Sequence, residues 1–265
     1  MSAIQQTKGF VKEAFPSLWL KWHFMRRPKS AEIELGFLKQ VVPADATTID
    51  VGANCGLYTR ELARLSRSVH AFEPSHDMAT LLRQTSAPNV AIHELALSDR
   101  NGEAALIVPQ GDSGPVHGLA SIEPQAELLA RPCVTTSVPT ARLDTVMQQD
   151  VGFVKIDVEG HELSVLQGAV GLIERCEPVF LVEAEDRHRE NATDSLFSFF
   201  GDRYYDGFFI DDGDVLPVQE FAADVFQDVE ALLPNGGRKS GRSYVNNFFF
   251  FPRDRDGYAA LSGAI

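Results

Sequence analysis

The stretch Thr48–Thr59, T-I-D-V-G-A-N-C-G-L-Y-T, decides the fold. A short apolar run from Thr47 to Val51 stops at Gly52, turns through Asn54 and Gly56, and continues with helical spacing from about Leu57. Strand, glycine turn, helix is how an α/β protein brings its backbone close to a nucleotide-like ligand. Glycine is needed there because a Cβ would forbid the dihedrals or block the ligand. The G-x-N-x-G spacing puts Asn54 where a dinucleotide loop has its second glycine. A pyrophosphate needs bare amides at a helix N-terminus, so the loop suits a dinucleotide poorly. It suits a cationic, phosphate-free ligand better, because Asp50 lies at the strand end. Taken alone, the stretch also reads as an ordinary strand-to-helix turn.

A second feature separates these readings. Twenty-three residues past Asp50, the run Ser68–Phe72 ends in Glu73-Pro74. An acidic residue at the end of the second strand, at about this distance, typically hydrogen-bonds both ribose hydroxyls of a nucleotide-like ligand. Two linked features at the right separation are far more specific than either alone.

At 265 residues the chain can bury one large core, and a single α/β domain with additions is the default. No apolar run reaches about 18 residues, so no transmembrane helix is expected. The start of the chain has no compact apolar stretch followed by a cleavage site, which argues against a secretory signal. Cys55, Cys133 and Cys176 lack metal-type spacing and read as reduced thiols of a cytoplasmic protein. In that setting Asn191-Ala192-Thr193 is a loop and not a glycosylation site. The net charge of −13 is uneven: residues 1–30 hold six Lys/Arg against Glu13, a balance of +5, which leaves −18 for residues 31–265. An acidic body repels phosphate backbones and argues against nucleic acid as the main partner.

The chain divides into a basic, aromatic helical arm at 1–30 and one domain at 31–265. The arm lies on an anionic membrane surface, or packs its aromatic face on the parent domain or on a second copy in a homo-oligomer. One helix is expected over Ala31–Val42. Alternating strands and helices follow, with strands at Val69–Phe72, Val90–His93, Phe153–Val158 and Val179–Glu183 and helices at Met78–Thr85 and Leu163–Ile173. An extra strand is expected at Glu103–Val108 and an extended piece at Val134–Pro139. Residues 109–132, rich in Gly and Pro, read as a long surface loop inserted in the domain, the place for substrate contacts. Asp211-Asp212-Gly213-Asp214 marks a hairpin between Tyr204–Ile210 and Val215–Val218. Phe221–Leu233 reads as a helix and Asn235–Ser243 as a basic loop. Asn247–Phe251, nearly all aromatic, reads as a buried central strand. The alternation implies a doubly wound, mostly parallel α/β sheet closed by an antiparallel C-terminal strand.

In order, D-V-G-A-N-C-G-L-Y-T, H-A-F-E-P, L-A-L-S-D-R-N-G, R-L-D-T-V and K-I-D-V-E-G-H-E-L-S-V-L-Q-G-A resemble the FkbM-type methyltransferases, from about Thr47 to Phe251. The resemblance implies the Rossmann-like class I methyltransferase fold, S-adenosyl-L-methionine as cofactor, and methylation of hydroxyl groups on sugars, glycans or other small-molecule natural products. In the site so implied, Asp50, Gly52 and Asn54 face the methionine moiety across a turn closed by Gly56, and Glu73 meets the ribose. Ala96 and Leu97 flank the adenine, and Asp157 lies where the reactive end meets the acceptor.

The block K-I-D-V-E-G-H-E carries the chemistry. A buried strand admits Lys155 only with a partner, and Asp157, two residues on, points to the same side. The pair orients Asp157 or steadies the acceptor, or it is a structural ion pair. Glu159 or Glu162 holds the methionine amine or opens the next helix, where acids are favoured. His161 is the general-base candidate because its intrinsic pKa lies near neutrality; the alternative is a surface histidine at a helix start. Asp157 with Glu183 or Glu185 could bind Mg²⁺, but carboxylates at strand ends are common without metal, and none is assigned. His70, His76, His93, His117 and His188 show no ligand spacing and read as structural or surface residues, and Cys55 as a small side chain that fits the turn. Two further readings are a binding protein that kept the fold without chemistry and a nicotinamide oxidoreductase, which Asn54 and the aromatic last strand disfavour.

Overall fold

The computed structural model describes residues 20, 32–111, 114–233, 239 and 241–263. The arm at 1–30, apart from Leu20, and most of the 235–243 loop lie outside them. In chain order the elements are α1 (Leu38–Val41), β1 (Thr47–Val51), α2 (Leu57–Leu65), β2 (Ser68–Phe72), α3 (His76–Thr85), β3 (Val90–His93), β4 (Ala96–Leu97), β5 (Gly102–Gly111), β6 (Gly114–Pro115), α4 (Ala126–Leu129), β7 (Cys133–Ala141), α5 (Leu143–Val146) and β8 (Val151–Ile156). They continue as α6 (Glu162–Gln167), α7 (Val170–Cys176), β9 (Val179–Glu183), α8 (Ala192–Gly201), β10 (Tyr205–Asp211), β11 (Asp214–Pro217), α9 (Ala223–Phe226), β12 (Asn247–Pro252) and α10 (Gly257–Ser262).

Among the described residues, eight strands form one sheet in the order β11-β10-β12-β9-β8-β1-β2-β3. Pairing is parallel from β9 through β8, β1 and β2 to β3. It is antiparallel where β12 joins β9 and where the β10–β11 hairpin joins β12. Both faces are covered, which is why the central strands are apolar throughout and not alternating. Successive residues feed opposite cores: Val154, Ile156, Phe180, Val182, Phe248 and Phe250 pack under α5 to α8. Phe153, Val179, Leu181, Phe249 and Phe251 pack under α1, α2 and α10. The doubly wound α/β expectation holds, and the aromatic strand β12 is central and buried along its length.

A second, four-stranded sheet, β4-β7-β5-β6, stands on the first. Its β5–β7 hairpin runs from Gly102 opposite Thr140 to Pro109 opposite Cys133. This corrects the reading of 109–132 as a surface loop: the strands extend into it, a 3-10 turn covers His117–Leu119, and α4 follows. The missed signal is pairing, because Pro and Gly mark turns without revealing that the segment folds back along a partner strand. Three expected helices are also shorter. Ala31–Val42 becomes a 3-10 turn, Ile33–Gly36, and α1, and Phe221–Leu233 becomes α9 and a 3-10 turn at Val229–Ala231. Leu163–Ile173 splits at Gly168, where a Cβ would overlap the Ser98 carbonyl. Leu20 is buried against Met78 and Leu81 of α3. Among the described residues no helix is long and apolar enough to cross a membrane.

Phe250 stacks on Phe200 at 3.9 Å between ring centroids and is 1% exposed. Phe250→Ala should lower the unfolding free energy by about 3–5 kcal/mol in urea denaturation. A loss below about 1 kcal/mol would mean that β12 is not a core strand.

Candidate active site

The site is built where the carboxyl ends of β1, β2 and β8 meet, the place where open α/β sheets bind ligands. Past Val51 the chain turns through three left-handed residues: Gly52 at φ +78°, Asn54 at +48° and Gly56 at +85°. Glycine takes that region freely and asparagine tolerates it. The amides of Gly52 and Ala53 both donate to the Phe72 carbonyl, at 2.9 and 3.1 Å, which fixes the turn against the end of β2. At Gly52 a Cβ would overlap the Asp157 carbonyl oxygen. Gly56 does a different job. Its missing Cβ makes room for Leu82 of α3, so it packs helices together and does not line the cleft.

Glu73 sits between two backbone amides: Asn54 N–H donates to Oε2 at 2.7 Å and Ser75 N–H to Oε1 at 2.8 Å. Burial pushes its carboxyl up to about 7, against those two hydrogen bonds. Each carboxylate oxygen keeps a lone pair that can accept from a ligand hydroxyl. Glu73, Gly52, Asn54, Asp157, Glu159 and His161 all line one cleft, whose apolar wall includes Ala96 and Leu97. Most of the residues implied for one ligand therefore share one cavity. Asp157 is tied in by its amide, which donates to the Val51 carbonyl at 3.0 Å.

Besides Gly56, two implied residues lie outside the cleft. Asp50 is 2% exposed and does not line the cleft; its carboxylate accepts from Thr59 Oγ1 at 2.5 Å. Burial raises it to about 6, partly offset by Thr59 and by the Lys155 charge. Lys155 is fully buried, and its ion-pair partner is Glu183, at 3.9 Å, not Asp157. Its ammonium also donates to Asn247 Oδ1 and to the Ile156 carbonyl, both at 3.2 Å, and lies 5.0 Å over the Tyr58 ring. Strand alternation cannot be extended to Asp157, because β8 ends at Ile156. Desolvation lowers Lys155, but Asp157, Glu183 and Glu32 outweigh it and hold the ammonium charged. The ammonium thus ties β8 to Asn247 of β12 and Glu183 of β9.

The turn after β8 is bent by Glu159 at φ +52° and Gly160 at +99°. Burial, and next Asp157, push the Glu159 carboxyl well above the usual range. It lies 3.2 Å from His188 Nδ1, a histidine that spacing had left as structural. Glu162 caps its own turn by accepting from Gly160 N–H at 2.8 Å. Among the described residues no grouping of His, Cys, Asp or Glu forms a metal site. Glu185, one candidate Mg²⁺ ligand, is taken up by Arg187 at 2.5 and 3.0 Å and by the Tyr244 hydroxyl.

Above this floor runs a strap, residues 116–125, whose Gly118, Ala120, Ser121 and Ile122 line the cleft together with His117. His117 reaches Ser75 Oγ at 3.2 Å, so it too belongs to the site. Ser121 Oγ donates to the Glu159 carbonyl at 2.8 Å and Gln125 Nε2 to the same oxygen at 2.5 Å. His161 is 9% exposed, with Nδ1 at 2.5 Å from Glu123 Oε1 and Nε2 at 3.0 Å from Ser98 Oγ. Sequence alone gave no means of finding Glu123, because its partner is 38 residues away.

The fold is that of a Rossmann-like class I methyltransferase. The methyltransferase FkbM domain model matches residues 50–237, more than half of the chain, and the protein belongs to that family. A 73-residue stretch is 37% identical to the Pyrobaculum aerophilum protein named "Probable ribosomal RNA small subunit methyltransferase A", covering 28% of this chain and 30% of that one, under a third of its length. The FkbM methyltransferase of Methylobacillus flagellatus aligns over 78% of this chain and 44% of its own, at 16% identity and a TM-score of 0.45. A Streptococcus mutans chain solved in complex with SAH aligns over 85% and 98%, at 12% identity and a TM-score of 0.45.

Gly52→Ala places a methyl group on a backbone carbonyl in a left-handed conformation. It should destabilise by more than about 2 kcal/mol. Gly36→Ala, where nothing lies within 4 Å of the added carbon, serves as the control and should stay within about 0.5 kcal/mol of the parent in thermal unfolding.

Proposed function

We propose that the cleft binds S-adenosyl-L-methionine and serves transfer of its methyl group to a hydroxyl of a small molecule or glycan, with residues 31–265 acting as one methyltransferase domain. The observation that carries this reading is Glu73, clamped between the glycine turn and the start of α3 and facing the same cleft as Gly52 and Asp157. The chain's residues fit the cofactor part by part. Glu73 accepts from the ribose hydroxyls, Ala96 and Leu97 take the adenine, and the bare backbone at Gly52 and Asn54 leaves room for the methionine moiety. Asp157 has no side-chain hydrogen bond among the described residues. It meets the ammonium or sulfonium, and Glu159 stands behind it.

The bound cofactor supplies an electrophilic methyl group on a positive sulfur. What the chain adds is alignment and an anionic wall, and a carboxylate at Asp157 within reach of the hydroxyl proton. An acceptor hydroxyl fits an acidic body better than a phosphate backbone does. The charge of −18 over residues 31–265 repels a phosphate backbone and supports this choice of acceptor.

The pH dependence of binding tests the role of Glu73. Its folded pKa of about 7 lies above the ordinary 4.5, so the free protein holds that proton below pH 7. Ribose hydroxyls donate to the ionised form, so binding must expel the proton. Affinity for S-adenosylhomocysteine, measured by titration calorimetry, should fall up to tenfold per unit as pH drops below about 7. Glu73→Gln should weaken binding at pH 8 and flatten that slope. If the variant keeps the parent's pH profile, Glu73 does not hold the ribose; if neither protein binds at any pH, the cofactor assignment fails.

A further inference from the structure

His161 has no ring nitrogen to spare. Nδ1 meets Glu123 of the strap and Nε2 meets Ser98, directly after the β4 residues that form the apolar wall. The histidine itself stands on the turn after β8. One imidazole therefore joins three segments that line the same cleft: the floor at Asp157–Glu159, the wall at Ala96–Leu97 and the roof at 116–125. The polar chain continues outward to Asp99, whose Oδ1 lies 3.1 Å from Ser98 Oγ. To take a proton from an acceptor hydroxyl, Nε2 would have to release Ser98, which is 4% exposed.

We propose that His161 is the pin that sets the separation of the cleft's three walls, and that Glu123 is a positioning residue acting through it. The turn is shaped for this. The left-handed Glu159 and Gly160 present the Glu159 carbonyl to the strap, where Ser121 and Gln125 both donate to it. On the hairpin side the strap is held by a backbone pair, Ile107 N–H to Ser121 O at 2.9 Å and Ser121 N–H to Ile107 O at 3.1 Å. Ala120 and Ile122 rest there on the small core of Leu106, Val108 and Val138. The hairpin thus carries the roof, and the Glu123–His161 pair closes it onto the floor. Preorganised walls of this kind lower the cost of ordering a bound ligand.

The inference rests on the cofactor reading above, and two measurements separate their fates. The first is the dissociation rate of S-adenosylhomocysteine from the full chain. Glu123→Ala and His161→Ala should each raise it about tenfold, while Glu123→Gln, whose amide oxygen still accepts from Nδ1–H, should stay within about threefold of the parent. A base acting only on the acceptor would leave that rate unchanged. The second is amide hydrogen exchange over 116–125, which needs no ligand. Glu123→Ala should speed exchange there and leave β1, β8 and β12 protected. If the parent protein fails to bind S-adenosylhomocysteine, the cofactor reading falls and exchange alone decides the pin. Unchanged exchange in Glu123→Ala overturns the pin in either case, as does an unchanged dissociation rate in a parent that binds.

Discussion

The carboxyl ends of β1 and β8 approach at Gly52 and Asp157 until a hydrogen fits between them and a carbon does not. Val51 accepts from the Asp157 amide on the same edge, and the next two amides are turned onto Phe72. Three strand ends thereby become one continuous backbone rim, and Glu73 and Asp157 are set by their places on it. Glu73 follows Phe72 directly, and Asp157 follows Ile156 at the end of β8. Widening the contact by one methyl group would push apart the two parts of the rim that the ligand must bridge.

The charges beneath the rim explain why it is rigid. Asp50 with Thr59, Lys155 with Asn247 and Glu183, and Glu185 with Arg187 and Tyr244 form a buried polar row along the sheet edge. None of these lines the cleft. Taking such groups out of water is costly unless each finds partners, and removing one partner would leave an uncompensated charge in the core. The row therefore tolerates little movement. The carboxylates above it, Glu73 and Glu159, sit in a different state: burial raises both, so an incoming cation would relieve a strain already present.

What sequence could reveal followed from local rules. The G-x-N-x-G turn and the acidic residue after β2 are short-range patterns, and the cleft assembles around them. The aromatic run of β12 announced burial on two faces. Lys155 feels the Asp157 charge most strongly, but the carboxylate within ion-pair distance is Glu183 on the neighbouring strand, which alternation along β8 cannot reveal. The strap was legible only as a place for contacts. Glu123 meets His161 where the strap crosses the turn after β8, His117 meets Ser75 after β2, and His188 reaches Glu159 from the segment after β9; no spacing within one segment encodes such meetings. His161 is the instructive case: residue type alone suggests a base, and only the tertiary fold brings its two ring nitrogens to Glu123 and Ser98.

On the proposed reading, electrostatics alone would not make this cleft a catalyst. A sulfonium facing Asp157 and Glu159 is most strongly favoured while it holds its full charge, and that charge disperses as the methyl group moves. Carboxylates that grip the cation thus favour the ground state at least as much as the transition state, and uniform binding does not speed the chemical step. The acceleration must come from elsewhere in the site. Holding sulfur, methyl carbon and hydroxyl oxygen in line can contribute about 7–11 kcal/mol by removing the search for that geometry. Alignment depends on fixed distances between walls, and in this protein those distances are set by the Gly52–Asp157 contact on the floor and by the imidazole that ties floor, wall and roof together. The anionic lining then accounts for occupancy, and the backbone geometry for rate.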